Sequence, residues 1–137
     1  KYIICLPKVT GETIEFFVTE SEQDLSEGSF HIMEPKNGCR KADETRSEIL
    51  RTAPILVPGM GFVETGARLG KGGGFYDRYL EQHAGHMTIA LAYEFQILGE
   101  IPVGPYDKNV DLIVTEKRVI RCKDRDVGTR IREEQPC

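Results

Sequence analysis

Two cations and two carboxylates lie in or near an unusually glycine-rich stretch of this chain. Seven of the 14 glycines fall between residues 59 and 74, and Arg68, Lys71 and Asp77 lie among or just after them. Glycine loses the most conformational freedom on folding, so a cluster this dense suggests that a ligand approaches bare backbone. A second carboxylate, Asp107, follows two prolines in a later loop. These residue types suit a metal-bound phosphate.

The segment from Arg68 to Phe75 predicts a phosphate cradle. Residues without Cβ let successive N–H groups point into one concavity. A helix that begins just after the glycines adds unpaired N–H donors and the positive end of its dipole. Arg68 and Lys71 would contact phosphate oxygens. Asp77 would meet Mg²⁺, which takes one or two carboxylates together with phosphate oxygens and water.

Two common phosphate-binding motifs do not match the spacing. The P-loop needs a glycine five residues before its Gly-Lys-Ser/Thr triplet, but Gly70-Lys71 is followed by Gly72. The residue five positions before Gly70 is Thr65. The dinucleotide fingerprint would need a glycine where Phe75 stands. A flexible hairpin or surface loop remains the alternative to a cradle.

Apolar runs separated by turns predict an alternation of strands and helices. Strands are predicted at 1–7, 13–18, 55–57, 88–92 and 111–115, with an edge strand at 119–120, and helices at 42–51 and 76–82. The strand at 55–57 is fully apolar and flanked by helical patterns, which predicts a central strand in a parallel or mixed sheet with both faces covered. The fold expected is a three-layer α/β/α arrangement with its ligand beyond the carboxyl ends of the strands.

Several motifs occur in the order found in one known family. They are VPGMGF, GARLGKGGGFYDRYL, Gln96, YDKNVD and VTE. Over about 2–116 the chain resembles the 5-formyltetrahydrofolate cyclo-ligase family. The resemblance implies a Rossmann-like α/β fold, with a layout similar to that of sugar-phosphate isomerases and acyl-CoA transferases. It also implies cyclisation of 5-formyltetrahydrofolate to 5,10-methenyltetrahydrofolate, using ATP and Mg²⁺ and releasing ADP and phosphate.

The resemblance further implies roles for individual residues. The nucleotide-binding loop falls on Arg68, Leu69, Gly70, Lys71, Gly72, Gly73, Gly74, Phe75 and Tyr76, and contacts to the folate overlap its middle part. Arg68 and Lys71 would serve catalysis, because phosphoryl transfer asks a protein mainly for positioning and charge neutralisation. The magnesium carboxylates fall on Asp77 and Asp107.

Without the resemblance, both carboxylates have simpler interpretations. Asp77 would be an acidic residue favoured by the dipole at a helix start. Asp107 would be a turn residue beside proline and asparagine. Asp111 is an alternative second metal ligand, but its place at a strand start favours a structural role.

The chain departs from the family pattern in three respects. His31 stands where glycine is usual, and Phe75 stands where tyrosine is usual. The family's N-terminal helix and first strand have no counterpart, so residues 1–122 are interpreted as the C-terminal major part of one domain. The missing segment is a candidate partner chain, and the 137-residue chain alone is expected to lack full activity. A non-catalytic nucleotide- or phosphate-binding module of the same fold is the alternative.

Composition limits the remaining possibilities. Residues 123–137 carry eight charges in 15 positions and are interpreted as a tail that is disordered or bound to a partner. A net charge of −4 gives no nucleic-acid footprint, and no apolar run approaches membrane-spanning length. The four cysteines show neither metal spacing nor a CxxC pair, so reduced thiols and a cytoplasmic location are expected. His31, His83 and His86 are expected to be ordinary exposed residues.

Overall fold

The computed structural model of the chain describes residues 2–42 and 47–122. These divide into two compact units, the first formed by residues 2–42, 47–53 and 78–86 and the second by residues 54–77 and 87–122. The prediction of one domain over residues 1–122 stays a prediction. The predicted tail at 123–137 lies outside the described residues.

The first unit is built from two antiparallel strand pairs. β1 (Ile4–Thr10) pairs with β2 (Thr13–Thr19), and β3 (Leu25–Glu27) pairs with β4 (Met33–Pro35). The helix α1 (Glu48–Arg51) matches only the end of the helix predicted at 42–51, because Ala42 and Ser47 lie outside it and Ser47 has an extended backbone. Residues 24–28, whose composition suggests a short turn or a single helical turn, instead mostly form β3, which pairs with β4.

The apolar start of the chain suggests a buried strand. The strand is present as β1, but it is not buried. Most of β1 is only half-buried, and Ile4 is 57% exposed. A ribbon of two strands leaves much of both faces in water, which accounts for this exposure. The buried residues among those described in this unit are Ile14, Thr19, Glu34 and Pro35. The Glu34 Oε2 accepts a hydrogen bond from the Val9 amide at 3.1 Å.

The turn between β3 and β4 shows why glycine is usual at position 31. Phe30 and His31 have φ angles of 60° and 59°, the left-handed region that disfavours side chains. The His31 side chain is 93% exposed, and its Nδ1 lies 2.6 Å from Glu27 Oε2. The prediction that His31 is an exposed loop residue is therefore confirmed. Its positive φ also explains why glycine, which adopts such angles without strain, is usual at this position.

The second unit contains seven short strands. They are β5 (Ile55–Leu56), β6 (Gly61–Val63), β7 (Arg68–Leu69), β8 (Thr88–Leu91), β9 (Ile97–Leu98), β10 (Leu112–Val114) and β11 (Val119–Arg121). The helix α2 (Phe75–Gln82) lies between β7 and β8 in the chain, close to the predicted 76–82.

A four-stranded mixed sheet forms the core of this unit. Its order is β11-β10-β8-β5, with β5, β8 and β10 parallel and β11 antiparallel, so the predicted mixed sheet is confirmed. Ile55, Ala90, Ile113 and Ile120 are buried on one face. The strand β5 was predicted at the centre of the sheet, but it lies at the edge of the described sheet. The amides of Ile55 and Val57 donate to Met87 O and Ile89 O, on the side of β8.

The other face of this sheet is exposed, contrary to the expectation that both faces are covered. Leu56, Leu91 and Val119 share that face by strand register and are 57%, 61% and 58% exposed. The described residues contain only two α-helices, of four and eight residues. Helices about 6 and 12 Å long are too short to cover a sheet on two sides.

A second sheet in this unit, ordered β7-β6-β9, takes up part of the glycine-rich stretch. β6 pairs antiparallel with β7 and parallel with β9, and Phe62 of β6 is fully buried. Residues 61–69 are therefore not part of an open loop. They form a hairpin, because β6 pairs antiparallel with β7, and the other edge of β6 pairs with β9. Only residues 70–74 remain a loop.

Candidate functional site

The hairpin turn anchors the segment that carries the second predicted carboxylate. The Gly66 N–H donates to Val63 O at 2.8 Å, and the Val110 N–H donates to Gly66 O at 2.9 Å. A Cβ on Gly66 would lie 2.5 Å from Val110 O, so only glycine permits this approach. Residues 109–110 are thereby held against the hairpin, and the loop before them is brought to the glycine-rich stretch.

The side chain of Arg68 is largely buried, whereas its charge suggested a cation free to meet phosphate oxygens. Its side chain is 7% exposed. Nη1 donates to Pro58 O at 2.9 Å, and Nη2 donates to Asp77 Oδ1 at 3.0 Å. A Cβ on Gly59 would lie 2.6 Å from Phe62 Cζ and 2.9 Å from Arg68 Cγ, and a Cβ on Gly70 would lie 3.0 Å from Arg68 Nη1. Gly59 therefore makes room for the Phe62 ring and the Arg68 stem, and Gly70 for the Arg68 guanidinium.

The Arg68 guanidinium keeps one polar atom without a partner. Its Nε is buried and makes no hydrogen bond to any described residue. Leaving a buried donor unsatisfied costs about 1–3 kcal/mol, so the other bonds of this side chain must stabilise its position. The nearby Tyr76 phenol has a raised pKa because it is buried, and the Arg68 charge partly opposes that rise.

Asp77 is the carboxylate around which these contacts converge. It lies in the first turn of α2 and its side chain is 20% exposed. Its Oδ1 accepts from Arg68 Nη2 and from the Lys108 amide, each at 3.0 Å. Its Oδ2 accepts no hydrogen bond from any residue in the described ranges.

Asp107 is next to the residue that contacts Asp77. Its Oδ2 accepts from the Gly104 amide at 2.7 Å, and its own amide donates to Gly104 O at 3.3 Å. The side chain therefore closes a tight, exposed turn, as the simpler interpretation held. Since Lys108 bonds Asp77, the structure brings the segments of both predicted metal carboxylates together.

Asp111 has the structural role that its position favoured. Its Oδ2 accepts from the Thr88 amide at 2.9 Å and from Thr88 Oγ1 at 3.1 Å. The Asp111 amide returns a bond to Thr88 Oγ1 at 3.0 Å. These reciprocal bonds join the starts of β8 and β10.

The loop at 70–74 is open and rich in unused donors. Lys71 is exposed and has no hydrogen bond or ion pair to a described residue. The amides of residues 71–74 also donate to none of the described residues. Gly72 and Gly74 have φ angles of 103° and 71°, and a Cβ on Gly72 would meet nothing within 4 Å. Free amides, a mobile cation and a helix N-terminus at Phe75 are suited to an anion.

The remaining members of the predicted nucleotide set differ in their surroundings. Leu69 lies in β7, and its carbonyl accepts from the Met60 amide at 2.7 Å. The Phe75 ring covers Gly73, whose added Cβ would lie 2.7 Å from Phe75 Cε2. The assignment of nucleotide and catalytic roles within residues 68–76, and of metal roles to Asp77 and Asp107, stays a prediction.

A polar cluster that the sequence did not indicate supports the hairpin turn. Arg118 Nη2 lies 2.7 Å from Glu94 Oε2 and 3.2 Å from Glu64 Oε2. Thr115 Oγ1 donates to Glu94 Oε1 at 2.8 Å. Hydrogen bonds from Arg118 and Thr115 lower the pKa of Glu94. Only the charges were visible in the sequence, because the three segments are brought together by the sheets.

The other sequence candidates provide no further site. His83 and His86 are half-buried, so the expectation that both are exposed is wrong. The Nδ1 atom of His83 lies 3.0 Å from Tyr79 O, and that of His86 lies 2.6 Å from Ala53 O. Within the described ranges, no three His, Cys, Asp or Glu residues are grouped to hold a metal. Cys5 and Cys39 are free thiols among the described residues, and burial raises the pKa of Cys5. No helix in the described part of the chain is long and apolar enough to cross a membrane.

Comparison with known proteins supports the family resemblance that the motifs indicate. A model of the 5-formyltetrahydrofolate cyclo-ligase family matches residues 2–116. The mouse 5-formyltetrahydrofolate cyclo-ligase is 38% identical over 109 residues, covering 72% of this chain and 51% of the mouse protein. A probable 5-formyltetrahydrofolate cyclo-ligase of Schizosaccharomyces pombe is 33% identical over 134 residues, covering 86% of this chain and 63% of that protein. The chain thus spans about half to two thirds of the length of these relatives.

Two solved structures are similar to this chain. The NMR structure of Aquifex aeolicus 5,10-methenyltetrahydrofolate synthetase has a TM-score of 0.71 and 36% identity, covering 90% of this chain and 60% of that one. The synthetase of Mycoplasma pneumoniae has a TM-score of 0.54 and 29% identity, covering 80% and 53%. These similarities, with the mixed sheet and its helices, confirm the α/β class.

Proposed function

The chain belongs to the 5-formyltetrahydrofolate cyclo-ligase family, and from this we propose that its 70–74 loop binds the phosphates of Mg-ATP. We further propose that the chain serves the ATP-dependent cyclisation of 5-formyltetrahydrofolate to 5,10-methenyltetrahydrofolate, with release of ADP and phosphate. The observation that carries the proposal is the loop itself. Its four consecutive amides at 71–74 have no partner among described residues, beside an unpaired Lys71 and the start of α2.

The loop supplies the two things that phosphoryl transfer requires from a protein. Its backbone N–H groups and the helix N-terminus hold an anion in place. The Lys71 ammonium, on a flexible stem, neutralises the charge that develops on phosphate oxygens. Because these donors are fixed by the left-handed turns at Gly72 and Gly74, they need little reorganisation when the anion arrives.

The residues present also fit a magnesium ion. The Asp77 Oδ2 is unused within the described ranges, and the Asp107 segment is held beside it through the Lys108 amide. Two carboxylates together with phosphate oxygens and water are a usual ligand set for Mg²⁺. When bound, the ion neutralises phosphate charge and orients the reacting phosphate. The chain's own part is to hold the segments that carry Asp77 and Asp107 beside each other.

The folate side of the site is proposed to lie at the middle of the loop. The middle of the loop, including the Phe75 ring that covers Gly73, is the segment expected to contact 5-formyltetrahydrofolate. Phenylalanine at 75 offers an aromatic face for stacking but no hydroxyl donor. Family membership is the main support for this substrate.

We also propose a cytoplasmic location, from the cysteine spacing.

Calorimetric titration of the purified chain with Mg-ATP tests the nucleotide part. We expect binding that weakens by about tenfold or more in Lys71→Met, since a charge-assisted contact to phosphate is lost. Glu100→Gln is the matched control, because Glu100 is exposed and lies outside the site. Absence of binding by the wild-type chain, or equal binding by Lys71→Met, would contradict the site.

An absorbance assay for 5,10-methenyltetrahydrofolate tests the reaction. We expect ATP-dependent product formation that requires both Lys71 and Asp77, at a rate below that of a full-length relative. Binding of Mg-ATP with no cyclisation would instead favour the non-catalytic nucleotide-binding module.

A further inference from the structure

We propose that Asn37-Gly38 is a site of self-modification, at which the Asn37 side chain loses ammonia to the next backbone amide with help from Lys8. The site lies in the first unit, and the proposal does not rest on the proposed function. Three features of the turn at residues 36–39 carry it: an attacking amide with no partner among described residues, a carbonyl held by a cation, and a leaving group that is equally unbonded.

The attacking atom is the backbone nitrogen of Gly38. Its N–H donates to none of the described residues. Gly38 has a φ of 103°, and a Cβ built on it would meet nothing within 4 Å, so neither a side chain nor a neighbouring segment blocks the attack. The bond that closes the turn, from the Cys39 amide to Lys36 O, is long at 3.4 Å and allows the backbone to adjust.

The atom under attack is the side-chain carbonyl carbon of Asn37. Lys8 Nζ donates to Asn37 Oδ1 at 2.7 Å and lies 5.9 Å from the centroid of the Phe17 ring, which helps to hold the cation in place. A charged donor draws electron density from the carbonyl and stabilises the negative oxygen that forms when a nitrogen attacks it. Lys8 therefore acts on the reacting group directly.

The leaving group is the amide nitrogen of the Asn37 side chain. It bonds to no described residue, and Asn37 is exposed to the water that takes up ammonia. The Gly38 nitrogen gives its proton to base and bonds to Asn37 Cγ, the Cγ–Nδ2 bond breaks, and ammonia departs from a five-membered succinimide.

Water then opens the ring in one of two ways. Hydrolysis of the new bond between Cγ and the Gly38 nitrogen gives aspartate, whereas hydrolysis of the main-chain bond of Asn37 gives isoaspartate. One water replaces one ammonia overall, so the step needs no oxidant or cofactor. Aspartate turns the Lys8 contact into an ion pair, and isoaspartate lengthens the main chain and so displaces the Cys39 amide from Lys36 O.

The other asparagine of the chain has the opposite surroundings. Asn109 is half-buried, and its Nδ2 donates to Thr65 O at 3.5 Å. The next residue is Val110, whose amide donates to Gly66 O at 2.9 Å and whose branched side chain restricts the backbone. Asn109 is therefore an internal control for Asn37.

Incubation of the purified chain at neutral pH, followed by peptide mapping with mass spectrometry, tests the proposal. We expect Asn37 to convert to aspartate and isoaspartate at least about tenfold faster than Asn109, because attack at 109 must first break a backbone hydrogen bond. The rate should rise with pH, since the attacking amide has to lose its proton. Conversion of Asn37 no faster than that of Asn109 would overturn the proposal.

Variants of two lysines test the part played by Lys8. In Lys8→Met we expect conversion of Asn37 to slow about fivefold, less than for a donor in a buried site because water partly replaces it. Lys36→Met is the matched control, because Lys36 carries the same charge beside Asn37 in the chain but its side chain bonds no described residue. Its rate should stay within about twofold of wild type. Equal rates in Lys8→Met and wild type would contradict the proposal.

Two further variants keep the test decisive. If Lys8→Met does not fold, Lys8→Gln removes the charge with a polar side chain and should also slow conversion, and an unchanged rate would again count against Lys8. Asn37→Gln requires a six-membered ring and should abolish isoaspartate at 37, measured by enzymatic methylation of isoaspartyl carboxylates. Isoaspartate formed at the wild-type rate in Asn37→Gln would place the reaction elsewhere and overturn the assignment.

Discussion

The glycine-rich stretch consists of two halves that place like charges in opposite surroundings. In the folded half, residues 59–69, Arg68 is 7% exposed and bonds a backbone carbonyl and a carboxylate. In the open half, residues 70–74, Lys71 is exposed and has no partner among described residues. The difference shows that a cation beside glycines can be part of the framework or part of the binding surface. Burial and partners decide which, and neither is visible in the motif.

The largest expected effect separates the glycines of the two halves. Gly66→Ala should lower the free energy of unfolding by about 3 to 5 kcal/mol, because its Cβ would press on Val110 O in a left-handed backbone. Gly72→Ala is the matched control, with a similar φ but open space, and should cost about 1 kcal/mol. Urea unfolding of both variants measures the difference. Equal losses would mean that the two halves are not packed differently.

Removing each cation in turn should show the same contrast. Arg68→Met should lower the free energy of unfolding by about 2 to 3 kcal/mol, somewhat less than for a fully buried pair because Asp77 can regain water. Lys71→Met should change it by less than about 0.5 kcal/mol. Chemical denaturation of the two variants side by side measures this. If Lys71→Met lowered the free energy of unfolding as much as Arg68→Met, the distinction between a framework cation and a binding cation would be wrong.

Acid should weaken the polar cluster of Glu94, Arg118 and Glu64, which supports the hairpin turn. Hydrogen bonds from Arg118 and Thr115 lower the Glu94 pKa in the folded state. A lowered folded pKa means stability that is present at neutral pH and lost as pH falls through that pKa. Glu94→Gln should therefore melt below wild type near pH 7, with the gap closing as pH falls toward about 3. Melting curves across this range measure it, with Glu100→Gln as control, and a gap that stays constant would refute the role of this carboxylate.

The smallest effect extends the comparison to the first unit. His31 holds a left-handed backbone without glycine, at a φ of 59°. His31→Gly should raise the free energy of unfolding by about 0.5 to 1 kcal/mol, since the side-chain strain goes while backbone entropy partly offsets the gain. His31→Ala should show no such gain because the φ stays unfavourable. Thermal melts of both variants test this, and equal stability of the two would contradict the strain.

Continuous apolar runs allowed most strands to be predicted. The strands β8, β10 and β11 fall inside or beside the predicted 88–92, 111–115 and 119–120. The hairpin β6–β7 was missed because its strands are three and two residues long and one begins with glycine. Its pairing with β9 joins Phe62 to Ile97, a contact that local patterns do not carry.

At the site, residue types were predictable and surroundings were not. The motif indicates cations, carboxylates and open backbone, and the structure places Arg68, Asp77 and the Asp107 segment together. That Arg68 is buried depends on the Pro58 carbonyl and on space left by Gly59 and Gly70, which arise only in the folded hairpin. The exposed face of the four-stranded sheet was likewise invisible, since Leu56 and Val57 are equally apolar in sequence.

The central claim is that the open half binds the nucleotide while the folded half only supports it. A titration of the isotopically labelled chain with Mg-ATP, followed by backbone amide chemical shifts, tests this directly. The amides of residues 71–74 should shift strongly and saturate with ATP, while those of residues 61–67 should stay nearly still. Large shifts in the hairpin with none at Gly72 and its neighbours would contradict the claim.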